Sequence, residues 1–220
     1  MKRKYRIKKC LAALMGIFFI GVGVAFNAMA QLGNDPVGIF YDGIRNTVGL
    51  TEVHLGLASN LVNLVLTGIL LIVGKKYINL GTLIYILPYG TFVTIGTHIY
   101  AKLFIIPGIS YQIAASVCGC LGIYLGVAMF IAADIGLDPM TALTMVVKDK
   151  LHWDFKRAKV LFDVCLTLLG VLLGGKLGAI TIITALSAGP VIQLIAERLT
   201  GLEKGRKEHV RSTNEAVSKD

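Results

Sequence analysis

The sequence predicts an all-α membrane protein: six transmembrane helices in an inverted 3+3 repeat, with two short broken or interfacial helices. Three observations carry this. Apolar residues make up 55% of the 220 residues and mean hydropathy is +0.72, too apolar for a soluble domain of this length. Residues 23–36 (GVAFNAMAQLGNDP) and 126–139 (GVAMFIAADIGLDP) match at seven of fourteen positions, all at an offset of 103. Finally, 19 of the 22 Lys/Arg fall in segments that a six-span layout places on one side, the positive-inside pattern.

Residues 1–9 form a basic, cytoplasmic N-terminus with six Lys/Arg. Repeat 1 covers 10–99, with apolar stretches at 10–30, 55–74 and 78–99, each near the ~20 residues that cross a bilayer. The opening resembles a signal peptide, with a cleavage-like Ala28-Met29-Ala30. The apolar run is too long for one, however, and the same pattern recurs at 126–139, where no signal peptide can sit. The first helix is therefore read as retained.

Residues 36–49 (PVGIFYDGIRNTVG) are too short and too polar to span. Asp35-Pro36 is a good helix start, Asp as N-cap and Pro at the first helical position. The segment is expected to be an amphipathic helix, interfacial or re-entrant. Residues 100–110 form an external linker.

Repeat 2 covers 111–197, with stretches at 111–135, 158–174 and 177–195, and a second short helix at 139–153 after Asp138-Pro139. The second helices match at offset 100 through Ala58/Ala158, Leu61/Leu161, Leu66/Leu166, Thr67/Thr167, Gly74/Gly174 and Lys76/Lys176. The third match weakly, through Thr82/Thr181 and Gly90/Gly189. Three spans per copy reverse the chain's direction, so the copies should be related by a pseudo-two-fold axis in the membrane plane. Residues 198–220 lack apolar periodicity and are expected to be a mobile cytoplasmic tail. Arg45, Lys102 and Lys176 are the outer basic residues, and both termini are cytoplasmic.

The net charge of +9 is thus topological, with attraction to anionic lipid head groups, rather than a nucleic-acid site. Cys10, Cys118, Cys120 and Cys165 lack disulfide or metal-ligand spacing and read as packing residues. No cofactor is expected. Walker, His-Glu-x-x-His and serine-nucleophile motifs are absent, so no enzyme is predicted.

At the two Gly-x-Asp-Pro breaks, with Asp42-Gly43-Ile44 after the first, the chain resembles the YitT/YczE-like bacterial integral membrane proteins over about residues 10–197. The resemblance implies a multi-spanning bacterial plasma-membrane protein. It implies no activity. The soluble C-terminal domain of the YitT branch is missing, which points to the YczE-like branch.

Seven residues are candidates for binding a substrate or ion. Asp35 and Asp138 place carboxylates and helix N-termini at the repeat interface, or simply cap the helices after them. Asp134 and Asp163 fall in apolar stretches, where an ionisable group is costly unless paired, wet or used. Either could couple transport to protons, or lie at the interface. Their repeat mates are Gln31 and Asn63, and Asn27 and Asn60 could join the polar lining or bond between helices. Gly122-x3-Gly126 and Gly170-x3-Gly174-x3-Gly178 read as packing ridges. His98, Tyr100 and Lys102 read as an interface anchor.

The leading expectation is a small secondary transporter or permease of unknown substrate, for which a homodimer is an option. The alternative is an accessory protein that binds or stabilises a membrane partner. A polar cavity walled by Asn27, Asn63, Asp134 and Asp163 would favour transport. A dry, close-packed centre beside an exposed apolar groove would favour the accessory role.

Overall fold

The computed structural model describes residues 2–104 and 108–217, with side chains over 6–104 and 108–201. It is all-helical, with no strand among these residues. Eight helices follow in order: α1 (Lys2–Ala30), α2 (Pro36–Thr47), α3 (Leu55–Val73), α4 (Leu80–Leu103), α5 (Ile109–Ala133), α6 (Pro139–Leu151), α7 (Phe155–Leu172) and α8 (Ala179–Val217).

Five segments are long and apolar enough to cross a membrane: Arg6–Ala30, Glu52–Val73, Leu80–Leu103, Ile109–Ala133 and Ala179–Gly201. The sixth expected span, α7, has 18 residues and carries Lys156, Arg157, Lys159 and Asp163. That much charge keeps it outside the composition of the other five. Helix α8 continues past the last of these spans to Val217, through residues expected as the tail. The expected linker 100–110 lies partly outside the described residues.

The core is built on the α1–α5 crossing. Gly16 and Gly23 on α1 meet Gly126 and Gly119 on α5 in antiparallel register. A Cβ on Gly16 would fall 2.6 Å from the Gly126 carbonyl, and one on Gly23 would fall 2.5 Å from that of Gly119. Only glycine lets the two backbones approach this closely. Gly126 therefore packs as expected. Gly170 and Gly178 do too, since a Cβ on either would strike the backbone of Ile39 or Leu32. Gly174 instead turns the chain, at φ +89.

Around this crossing α1 packs on α4 and α5 packs on α8. Helix α2 packs on α7 and on α3, and α6 packs on α3 and on α7. Helix α3 packs closely on α4. There a Cβ on Gly56 would lie 2.1 Å from the Gly90 carbonyl, and Asn60 Oδ1 accepts the Gly90 N–H at 2.8 Å. Helices α7 and α8 barely touch, and a Cβ on Gly189 would meet nothing within 4 Å.

Candidate functional site

The two breaks share a backbone. Gln31 and Asp134 both adopt positive φ (63 and 49), as do Gly33 and Gly136 (102 and 138). Each break is then tied to the foot of a helix from the other half of the chain. The Gly81 N–H donates to the Ile135 carbonyl at 3.0 Å, and the Ile180 N–H to the Leu32 carbonyl at 3.1 Å. Thr82 Oγ1 adds a bond to the Leu137 carbonyl at 2.7 Å.

After the first break the chain folds back along α1. Asn34 Nδ2 donates to the Val24 carbonyl at 3.1 Å, six residues before the end of α1, or about 9 Å back along its axis. Helix α2 thus starts inside the body. Its Gly38, Ile39, Tyr41, Asp42, Gly43 and Arg45 are buried, so it does not lie on the surface.

The expected Asp caps differ between the breaks. Asp138 Oδ1 accepts from the Met140 and Thr141 amides, both at 3.0 Å. Asp35 makes no such bond to α2. Its own amide instead donates to Asn34 Oδ1 at 3.0 Å, and the Asn34 side chain lies over Gly38 of the first turn. Asp35 Oδ1 is sealed from solvent and accepts no well-formed hydrogen bond, with the Val37 and Gly38 amides nearby.

Beside these helix starts lies a buried polar cluster. Tyr41 Oη donates to Asn63 Oδ1 at 3.1 Å, and both residues are fully buried. Tyr85 and Tyr89 of α4 stack at 4.8 Å, and Tyr41 tilts against Tyr89 at 5.8 Å. Tyr41 lies within electrostatic reach of both Asp35 and Asp138. Asn63 Nδ2 has no partner. From α7, Asp163 and Lys159 act on Asp35 while pairing with each other at 2.5 Å.

Of the seven candidates, the structure gathers Asp35, Asp138, Asn63 and Asp163 here. Three lie elsewhere. Asp134 is outside any span: it ends α5 in a left-handed C-cap, its side chain 88% exposed beside Lys9 at 3.3 Å. Gln31, its counterpart just after α1, bonds to Glu52 at 2.9 Å and to Lys176. Asn27 is buried at the α1–α5 crossing, where Nδ2 approaches Cys120 Sγ at 3.8 Å. Asn27, Asn63, Asp134 and Asp163, whose shared cavity would favour transport, do not come together.

Sequence reasoning missed two features. Arg45 is no free outer charge: it is buried against Asp42 at 2.7 Å and donates to the Leu50 carbonyl. The i,i+3 spacing of Asp42 and Arg45 was the available signal. The second is the tyrosine cluster, since tyrosines inside apolar stretches read as ordinary core.

Outside the helical core, Asp149 at the end of α6 accepts bonds from Lys76 and Tyr77. These donors, Lys76 first, hold its carboxyl below the ordinary value of 3.8. Between α3 and α4 an open groove of about 630 Å³ is lined by Leu57, Asn60, Ile95, His98 and Lys102, among others. The described residues gather no group of three or more His, Cys, Asp or Glu able to hold a metal.

The family of unknown function DUF6198 matches residues 7–197, and the chain belongs to it. An uncharacterized membrane protein, YczE, from Bacillus subtilis (strain 168) is 22% identical over 81% of this chain and 80% of its own. An uncharacterized protein of Haemophilus influenzae (strain ATCC 51907 / DSM 11121 / KW20 / Rd) is 25% identical over 82% and 79%. No solved structure matches. The chain is thus a YczE-like membrane protein with several apolar helices.

Proposed function

We propose that this member of DUF6198 is a small, non-enzymatic secondary transporter or permease. In this reading it has six spans, with α7 as the sixth, in an inverted 3+3 repeat. Helices α2 and α6 are half-helices that enter from opposite sides and start near the midplane. Both termini are cytoplasmic, and the bilayer and its anionic head groups are the surroundings.

One observation carries this reading. Exchanging α1 with α5, α2 with α6, α3 with α7 and α4 with α8 maps the main packing pairs onto one another, apart from a small α1–α2 contact without an α5–α6 counterpart and one larger difference. Helices α3 and α4 are closed on each other through Gly56 and Gly90, whereas α7 and α8 stand apart at Gly189. Two copies of one unit held in two shapes are what alternating access requires, because trading the shapes moves the opening to the other side. The polar cluster between the α2 and α6 starts is then the binding site. There Asn63 Nδ2 and Asp35 Oδ1 make no well-formed hydrogen bond.

The accessory reading draws on two features: the stacked tyrosines that fill the centre and the open α3–α4 groove. The two readings part on water. With the four native cysteines replaced by serine, Asn63→Cys in proteoliposomes should react with a membrane-impermeant maleimide from one side. A dry centre, with no reaction from either side while the protein remains folded, would discard transport.

A further inference from the structure

We infer that the two breaks have diverged in role, and that Asp35 is a proton-binding carboxylate facing a centre short of positive charge. The inference rests on the central site proposed above and names the cation it takes.

Asp138 and Asp35 occupy matching positions at the starts of α6 and α2. Two amides saturate Asp138 Oδ1, so that side chain is committed to its helix. At Asp35 the neighbouring Asn34 accepts the Asp35 amide and covers the first turn; the carboxylate makes no cap hydrogen bond of normal geometry, and the Val37 and Gly38 amides only lie near it. A sealed carboxylate oxygen without a well-formed hydrogen bond is costly in the charged state. A proton removes that cost, because a carboxylic acid is itself a donor. Asn63, wholly buried in the same cluster, likewise has an unpartnered Nδ2.

The surrounding charges point the same way. From α7, Lys159 and Asp163 face Asp35. From α4 come Tyr85 and Tyr89, from α2 Tyr41, from α5 Tyr124 and Cys120, and from α6 Asp138 in the same cluster. Lys159 is already paired with Asp163. One ammonium therefore faces three carboxylates: Asp163 holds it, Asp138 is bonded to its own helix, and Asp35 is the one left over. A metal cation would want several oxygens around it, and among the described residues no three His, Cys, Asp or Glu come close enough together to hold one.

The test uses the wild-type protein in liposomes and dicyclohexylcarbodiimide, an apolar reagent that attacks protonated carboxyls, with the modified residue located by mass spectrometry. Asp35 should be labelled and Asp138 should not. Labelling of Asp35 should fall about tenfold for each pH unit above its midpoint. The Asp35→Asn variant should lose the label, while Asp138→Ser should keep it on Asp35. Equal labelling of Asp138, or none on Asp35 at any pH, overturns the assignment. Protection of Asp35 by sodium at fixed pH would make the cation a metal and overturn the proton. Labelling needs no flux. Asp35 labelling without maleimide access at Asn63→Cys sinks transport alone, and access without labelling sinks this inference alone.

Discussion

At the scale of the residue, the same dipeptide does two jobs. Asp138→Ala removes a side chain that holds two amides and should destabilise by about 1 kcal/mol, with Asp138→Ser recovering most of it. Asp35→Asn removes no cap, and it replaces a charge whose Oδ1 has no partner. Its melting temperature in detergent should match or exceed that of wild type. A loss as large as that of Asp138→Ala would mean that Asp35 caps after all. Asp149 offers a pH test. Its folded value lies below 3.8 because Lys76 and Tyr77 bond to the charged form. The stability this adds is present above about pH 4 and disappears as pH falls through the folded value. Asp149→Asn should therefore melt below wild type at pH 6, and the two should converge under acid.

At the scale of the element, the α1–α5 crossing tolerates no side chain at its contact points. Gly126→Ala would set a Cβ 2.4 Å from the Gly16 carbonyl, whereas Gly122→Ala meets its nearest atom, the Phe19 carbonyl, at 3.2 Å. The first should cost on the order of 1–3 kcal/mol in thermal unfolding and the second less. Equal effects would place the contact elsewhere along the helices. Gly16 and Gly119 also stand 103 apart, so the duplication extends to these glycines, but a repeat offset does not say that the two helices touch. The short helices were legible, because Asp-Pro is a local signal: α2 starts at Pro36 and α6 at Pro139, as expected. Asp134 was not. A hydropathy window averages over neighbours and cannot see the backbone turn left-handed at that residue, which lifts the side chain into solvent. The partner of α2 was equally hidden, because packing on a helix more than a hundred residues away leaves no local trace.

At the scale of the whole molecule, the charge bias predicts which side each loop faces. In intact cells Lys102→Cys should react with an impermeant thiol reagent, and Lys75→Cys and Lys150→Cys should not. Reaction at 75 or 150 from outside would end the proposed inverted arrangement. Arg45 is unsuited to this mapping, being buried against Asp42. The cross-half pairing has a consequence for how the chain is made. Helix α2 leaves the ribosome well before α7, the helix it packs on, and the Leu32 carbonyl before the Ile180 amide that bonds it. The first half of the chain is therefore an unfinished product for as long as translation of the second takes. The face of α2 that meets α7 stays uncovered in that interval. Residues 1–104 produced alone should be degraded rapidly. The same segment should accumulate when the remainder is supplied as a second polypeptide, its survival set by the arrival of α7.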